Sequence, residues 1–279
     1  MTPCYIRKSK EHGNATGASV NNEMVKPCMA RSARLAELNL DTTRILEQPS
    51  VTMPGTVDKE MNPKPAIMSI QTSAASTPIT SSASYFQNHT RVLAAIPHSK
   101  VEQVAEKLYL AYENGRDVYV FGNGGSASLA SHLACDLGKG TSMDGNTRKR
   151  FRVMSLTDNL PLLTAWANDS SYDLVFAEQI RNFAQRGDIA FAISGSGNSP
   201  NVLLGLQAAR EAGAFTIGLG GFQGGKMKPL CDLSVVIPSD NMQIIEDLHV
   251  SVSHALFTLV RNRIQLRAAS VRTAAAGAG

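Results

Sequence analysis

The sequence of 279 residues has little of what several protein classes require. Its four cysteines, Cys4, Cys28, Cys135 and Cys231, lie too far apart in the chain for a zinc knuckle or a CxxC redox motif. They are interpreted as free thiols of a reducing compartment. No apolar run approaches the roughly 18 residues of a membrane span, and the first residues lack the apolar core of a secretory signal. The sequence therefore predicts a cytoplasmic protein that does not enter a membrane.

The chain also lacks a strong excess of either charge. It has 27 lysine and arginine residues against 23 aspartate and glutamate residues. The excess divides evenly, with nine basic and seven acidic residues before residue 85 and 18 and 16 after it. Because no concentrated basic surface follows from this pattern, nucleic acid is not expected as a partner.

The two ends of the chain lack a sustained hydrophobic period. Residues 69–84 contain six serines and three threonines, and such a composition cannot bury enough apolar surface to offset the entropy of ordering. Residues 1–84 are therefore predicted to be a disordered extension. The alanine- and glycine-rich residues 267–279 are predicted to form a flexible tail.

Helical periods occur at both ends of the central region, residues 85–266. Two helices are predicted over 85–114, before the first strand. A C-terminal helix is predicted over 241–266, opened by Asp240 with Gln243 three residues later as a capping box.

Between these helices, residues 115–240 contain five short apolar runs separated by helical segments. Strands that alternate with helices indicate a parallel sheet covered on both faces. The predicted fold is thus α/β, a doubly wound five-stranded sheet in three layers of the flavodoxin or Rossmann type. The five runs are 118–121, 151–156, 189–194, 215–219 and 233–237.

Two loops that directly follow predicted strands carry glycine and serine together. They read Gly122-Asn-Gly-Gly-Ser-Ala127 and Ser194-Gly-Ser-Gly-Asn-Ser199. Glycine lets a backbone approach a ligand, serine hydroxyls donate to oxyanions, and a following helix adds unpaired N–H groups. The pair predicts a phosphate-binding site, although the same residues also make simple tight turns.

Dinucleotide binding is the sharper alternative for the first loop. Gly122, Gly124 and Ala127 fit the pattern G-x-G-x-x-A, and Asp158 could bind a ribose. The three hydroxyls of the second loop suit a terminal phosphate monoester better than a buried pyrophosphate. We therefore expect no nucleotide cofactor.

Histidines on two predicted helices are candidates for chemistry. His132 and Asp136 are four residues apart and share a helix face, which suits a metal pair or an orienting hydrogen bond as well as a simple surface pair. His249 and His254 lie about 140° apart around an ideal helix, so at most one of them faces a given site.

Five motifs follow one another in order along residues 85–264. They are Gly122-Asn-Gly-Gly-Ser-Ala127, His132 with Asp136, Ala167-Asn-Asp169, Ser194-Gly-Ser-Gly-Asn-Ser-Pro-Asn201, and Glu246-Asp-Leu-His249 with His254. This series resembles the phosphoheptose isomerase branch of the sugar-isomerase (SIS) domain family. The resemblance implies an enzyme that converts sedoheptulose 7-phosphate into D-glycero-D-manno-heptose 7-phosphate through an enediol. It also implies a homotetramer and zinc, or another divalent metal, as cofactor.

The resemblance assigns roles to particular residues. Asp136 would be the catalytic base, with Glu246 as a second candidate for that role, and His254 would be the catalytic acid. The metal ligands would be His132, Asp136, Glu246 and His254. The substrate-binding residues would be Asn123, Gly124, Gly125, Ser126, Asn168, Asp169, Ser194, Gly195, Ser196 and Ser199.

Two of these positions depart from the family, which has glutamate at Asp136 and glutamine at Glu246. Both replacements keep an oxygen ligand, so a divalent metal remains compatible with the site. Aspartate is one methylene shorter, however, and a shift of about an ångström affects proton transfer. A non-catalytic SIS-domain regulator or adaptor that binds a sugar phosphate is therefore the alternative function.

Helix geometry adds an expectation about assembly. Glu246 and His254 are eight residues apart, which is about 12 Å along one straight helix. A single compact site is therefore not expected to contain both Glu246 and His254 of the same chain. The C-terminal helix is thus predicted to serve two active sites at subunit interfaces.

Overall fold

The computed structural model describes residues 79–142 and 149–276. The predicted disordered extension lies outside these ranges except for its last six residues. Helix α1, Ser82–Ala94, begins there with a capping box, because the Ser81 hydroxyl accepts from the Ser84 backbone and the Ser84 hydroxyl accepts from the Ser81 backbone. Helix α2, His98–Asn114, ends at Gly115, whose φ of 62° is the left-handed conformation that favours glycine.

The described residues contain five strands in one parallel sheet of order β2-β1-β3-β4-β5, which confirms the predicted fold class. Strand β2 is shorter than the predicted run 151–156. The strands are β1 Val118–Gly122, β2 Val153–Ser155, β3 Ile189–Ser194, β4 Phe215–Gly221 and β5 Leu233–Ile237.

Helices cover both faces of this sheet. After α1 and α2 come α3 Gly125–Cys135, continued by a π-helical turn Asp136–Gly140, then α4 Leu160–Asp169, α5 Ala177–Phe183, α6 Pro200–Glu211 and α7 Met242–Ala276. Alternate residues of β1 point to opposite faces, so Val118 and Val120 pack with α2, α3 and α7, whereas Tyr119 and Phe121 pack with α5 and α6.

The C-terminal helix α7 differs from its prediction at both ends. Its cap is Asn241, whose side-chain oxygen accepts from the Ile244 backbone at 3.1 Å, so the prediction of Asp240 as cap was wrong. The helix continues to Ala276 instead of ending at residue 266. Alanine has the highest helix propensity of all residues, and three alanines end the helix.

The order of the strands places a topological switch point between β1 and β3. The chain leaves these neighbouring strands toward opposite faces of the sheet, which opens a crevice at their carboxyl ends. Both glycine- and serine-containing loops begin there. Among the described helices, none combines the length and apolar character that a membrane crossing needs.

Candidate active site

The first loop packs closely against the neighbouring strand. Gly122 is paired in register with Ile193, and a β-carbon on Gly122 would come within 2.5 Å of the Ile193 carbonyl oxygen. Helix α3 can start beside β3 only because this position has no side chain. Gly124 takes a positive φ of 56° at the start of α3, and Ser126 is buried in its first turn.

The second loop, Ser194–Ser199, carries three serine hydroxyls that differ in their hydrogen bonds. The buried Ser194 hydroxyl accepts from the Gly197 backbone at 3.1 Å, and the Ser196 hydroxyl accepts from the Asn198 backbone at 3.2 Å. Ser199 precedes helix α6, but its side chain makes no capping hydrogen bond. Because each accepting hydroxyl keeps its own proton, the loop has hydroxyl donors available for an oxyanion.

Other backbone segments hold this serine loop in place. Gly197 has a φ of 64°, and a β-carbon there would lie 2.3 Å from the Gly224 carbonyl oxygen. The Met227 backbone N–H donates to the Gly197 carbonyl at 2.9 Å. At the other side of the loop, Gly195 is packed against the side chain of Met242 at the start of α7. The shape of the loop is therefore set by contacts that leave no room for side chains.

Asn123 connects the first loop to the start of α6, the helix that follows the second loop. Its amide exchanges two hydrogen bonds of 2.8 Å with the amide of Asn201, at the start of α6. The Tyr172 hydroxyl donates to the Asn123 side-chain oxygen at 3.0 Å. No role was predicted for Asn201 or Tyr172 from the sequence. Asn201 lay within a quoted motif and could have been found there, whereas Tyr172 has no local signal.

Three predicted site residues meet at the seam between α3 and α7. The Nε2 atoms of His132 and His254 are 3.1 Å apart, and the Asp136 Oδ2 atom lies 3.2 Å from the first and 4.0 Å from the second. Both imidazoles are about half exposed, and the carboxylate is one quarter exposed. All three side chains belong to one chain and remain open to a ligand.

Glu246 lies in a different place along the same seam. Its carboxylate is beside Gly125, where a β-carbon would come within 3.6 Å of the Glu246 Oε1 atom. That position is the first turn of α3, where the positive end of the helix dipole favours an anion. Among the residues that the structure describes, the group able to hold a metal contains His132, Asp136 and His254 without Glu246.

His249 belongs to the core. Its ring is buried and its Nε2 atom donates to the Gly220 carbonyl of β4 at 3.0 Å. Burial lowers the pKa of His249 to about 4, so the ring is neutral at physiological pH. The helical angle had predicted that His249 and His254 face different directions, and they do.

The Asn168 and Asp169 side chains lie at the end of α4, where both are exposed and hydrogen-bonded to one another at 2.8 Å. The described contacts do not join them to the two loops. Asp158, the possible ribose ligand, accepts a hydrogen bond from the Ser131 hydroxyl of α3. This contact occupies one oxygen of the carboxylate that the dinucleotide alternative requires.

The fold and these loops define a doubly wound α/β protein with an anion-binding loop and a histidine–carboxylate cluster. Comparison with known proteins agrees with that class. The sequence model of the SIS domain matches residues 84–221. The phosphoheptose isomerase of Pelobacter propionicus is 40% identical over 161 residues, which are 58% of this chain and 84% of the relative. The phosphoheptose isomerase of Helicobacter pylori is 37% identical over 174 residues, 61% of this chain and 89% of the relative.

Solved structures give the same result. A phosphoheptose isomerase from Neisseria gonorrhoeae superposes with a TM-score of 0.59 at 30% identity, over 64% of this chain and 96% of that one. A phosphoheptose isomerase from Francisella tularensis superposes with a TM-score of 0.61 at 28% identity, with the same coverage of both chains. The chain belongs to the SIS domain family, in its phosphoheptose isomerase branch.

Proposed function

We propose that this protein is an aldose–ketose isomerase that interconverts sedoheptulose 7-phosphate and D-glycero-D-manno-heptose 7-phosphate. The observation that carries the proposal is the cluster of Asp136 with His132 and His254, which lies between α7 and α3, the helix that begins at the sheet's switch point. The relatives that are named phosphoheptose isomerases support the same substrate.

The serine loop anchors the phosphate. Ser194, Ser196 and Ser199 each offer a hydroxyl, and α6 follows directly with the positive end of its dipole. Asn123 of the neighbouring loop, which carries an amide donor, is placed to contact the sugar. Such an arrangement fixes the chain of the sugar at one end so that its carbonyl end can reach acid–base groups.

Isomerisation needs a base that moves one proton between C1 and C2 and an acid that serves the two oxygens. Asp136 is the proposed base and His254 the proposed acid, with Glu246 as a second candidate base. The base removes the proton from C1 while the acid protonates the C2 carbonyl oxygen, which gives the enediol. The C1 hydroxyl then returns a proton to the acid as C1 becomes the carbonyl, and the base delivers a proton to C2. No outside oxidant or reductant enters this balance.

The three clustered side chains fit a zinc ion. Two imidazole nitrogens and one carboxylate oxygen form a common zinc set, and a tetrahedral ion would hold its ligands about 3.3 Å apart. Two of the three separations, 3.1 and 3.2 Å, are close to that value, and the third, between Asp136 and His254, is 4.0 Å. The shorter Asp136 side chain thus reaches both histidines. When bound, the metal would polarise the substrate carbonyl and its neighbouring hydroxyl, and because it would engage Asp136 and His254 it would leave Glu246 as the base.

The proposed assembly is a homotetramer in the cytoplasm, with active sites at subunit interfaces. Exposed apolar side chains support an interface on the outer helices, among them Phe86 and Leu93 of α1 and Leu266 of α7. Cys135 and Cys231 are free thiols.

An NMR assay of sedoheptulose 7-phosphate, with zinc supplied, tests the proposed function. The expected result is the appearance of aldoheptose 7-phosphate signals and, in deuterated water, exchange at the carbon that loses its proton. Shorter ketose phosphates serve as comparison substrates. Tight binding without turnover or exchange would contradict an isomerase and favour a binding protein.

A further inference from the structure

Tyr172 is an exposed side chain with one specific contact. It opens a short 3₁₀ turn, Tyr172–Leu174, that is capped by the Ser171 hydroxyl, which accepts from the Asp173 backbone at 3.1 Å. Tyr172 is 52% exposed, so packing alone does not explain where its side chain points. Its hydroxyl reaches across to the Asn123 side-chain oxygen at 3.0 Å.

The direction of every hydrogen bond around Asn123 follows from one backbone group. The Val202 N–H can only donate, and it donates to the Asn201 Oδ1 atom at 3.0 Å. That contact fixes which end of the Asn201 amide is oxygen, so the Asn123 Nδ2 group must donate to it. The Asn123 Oδ1 atom then accepts from the Asn201 Nδ2 group.

The consequence for Tyr172 is that its hydroxyl must be the donor. The Asn123 oxygen receives two donors and is saturated, from Asn201 on one side and from Tyr172 on the other. One N–H of the Asn123 amide is left without a partner in the described part of the chain. Of the two residues that donate to the Asn123 oxygen, Asn201 is 1% exposed and cannot rearrange freely, whereas Tyr172 is exposed.

We propose that Tyr172 is a positioning residue of the sugar site, whose hydroxyl holds the Asn123 amide so that its free N–H is presented in one orientation. The inference rests on the proposed function, because the group that receives this N–H is a hydroxyl of the sugar. Tyr172 acts through Asn123 and does not belong to the phosphate anchor.

Binding measurements test this without any need for turnover. Titration calorimetry with sedoheptulose 7-phosphate and, separately, with inorganic phosphate should be done on wild type, Tyr172→Phe, Asn123→Ala and the double variant. Tyr172→Phe is expected to weaken binding of the sugar phosphate about three- to tenfold, as the loss of one neutral hydrogen bond does, and to leave binding of inorganic phosphate unchanged. In the Asn123→Ala background the same change should have no effect.

The matched control is Tyr119→Phe, which removes a hydroxyl that donates to the Phe183 carbonyl at 3.0 Å, outside the site. It should leave both affinities unchanged. If the isomerase activity is present, Tyr172→Phe should raise KM more than it lowers kcat. The proposal is overturned if Tyr172→Phe weakens inorganic phosphate equally, has no effect on the sugar phosphate, or lowers affinity by the same factor with and without Asn123. Failure of turnover with intact binding would contradict the proposed function alone.

Discussion

The imidazoles of His132 and His254 face one another with their Nε2 atoms 3.1 Å apart, although 122 residues separate them in the chain. Two neutral imidazoles at this distance share one hydrogen bond, since one ring must donate and the other accept. Asp136, one helical turn after His132, lies beside both rings. The geometry thus places a carboxylate next to two nitrogen atoms whose lone pairs can be directed at a common point, which is what a metal ion requires.

Removal of one of these histidines should remove a bound metal. Protein purified without chelator is expected to hold about one divalent ion per chain. The His132→Ala variant should lose most of this metal, because the remaining protein ligands do not compensate for the lost imidazole. Elemental analysis measures the content. The control is His98→Ala, an exposed histidine outside the cluster, which should retain the metal. If wild type stays free of metal after zinc is supplied, the three residues form an acid–base and hydrogen-bonding set only.

Ser199 offers a direct test of the phosphate anchor. Its hydroxyl does not cap α6, so Ser199→Ala should leave the melting temperature almost unchanged. The variant should weaken sugar-phosphate binding by about 1–3 kcal/mol, through loss of a charge-assisted hydrogen bond. Binding of the unphosphorylated sugar should scarcely change.

Ser251→Ala is the matched control for this measurement, since its exposed hydroxyl donates to the Asp247 carbonyl of the same helix. Both variants can be compared by calorimetry with phosphorylated and unphosphorylated sugar. Equal losses for the two ligands in Ser199→Ala would show that the loop does not recognise phosphate.

The sequence predicted the fold better than it predicted the site. Five strands between helical segments were enough for the sheet, because apolar periodicity is a local property. Spacing also grouped His132 with Asp136 and separated His249 from His254. The meeting of His254 with that pair was implied by the family resemblance alone, because it depends on the packing of α7 against α3. The contact of Tyr172 with Asn123, which spans 49 residues, was not predicted. Contacts between residues so far apart in the chain do not show in the hydrophobic periodicity of the sequence.

The boundaries that were wrong have local causes. Asn241 and Asp240 are both good caps, so the sequence alone did not decide between them. The tail after residue 266 contains alanine, which is common in both loose tails and stable helices, and the structure shows a helix to Ala276.

The shape of the serine loop should be sensitive to one methyl group. Gly197→Ala would force a side chain into a left-handed conformation and against the Gly224 carbonyl oxygen, 2.3 Å from the new β-carbon. We expect a loss of stability of about 1–3 kcal/mol and a clear loss of sugar-phosphate affinity. Denaturant unfolding and calorimetry measure the two effects. Gly138→Ala is the control, because its new β-carbon would have ordinary contact with Val153 at 3.4 Å; similar effects of both changes would contradict this account.

The buried His249 predicts a loss of stability at mildly acidic pH. Burial lowers its folded-state pKa from 6.5 to about 4, so between these values the unfolded chain binds a proton that the folded chain does not. Stability is therefore lost as the pH falls below 6.5, by about 2 kcal/mol at pH 5 from this residue alone.

Urea unfolding of wild type and His249→Gln at pH 7.5 and pH 5 isolates this contribution. Glutamine can keep a donor toward the Gly220 carbonyl but does not titrate, so the variant should lose less stability on acidification than wild type. His98→Gln, which changes an exposed histidine, should behave like wild type. An identical pH dependence in wild type and His249→Gln would show that the ring does not stay neutral in the folded protein.

The positions of Glu246 and His254 on α7 determine which pairs of variants would reveal active sites shared between subunits. His132, Asp136 and His254 meet within one chain, whereas Glu246 lies beside Gly125, two helical turns before His254. If the C-terminal helix serves two sites of an oligomer, Glu246 contributes to one of these sites and the three-residue cluster to the other. Variants on opposite sides of that division could then complement one another, and variants within the cluster could not.

The experiment mixes inactive subunits after dissociation and reassembly. Glu246→Ala with His254→Ala should restore part of the activity, because some interfaces in a mixed oligomer combine an intact Glu246 from one chain with an intact cluster from its neighbour. Asp136→Ala with His254→Ala should restore none, since every cluster then lacks one member. Sedimentation must first show an oligomer, and native mass spectrometry must show mixed ones. A monomer, no recovery in the first mixture, or equal recovery in both would contradict sites that are divided at this point of the helix.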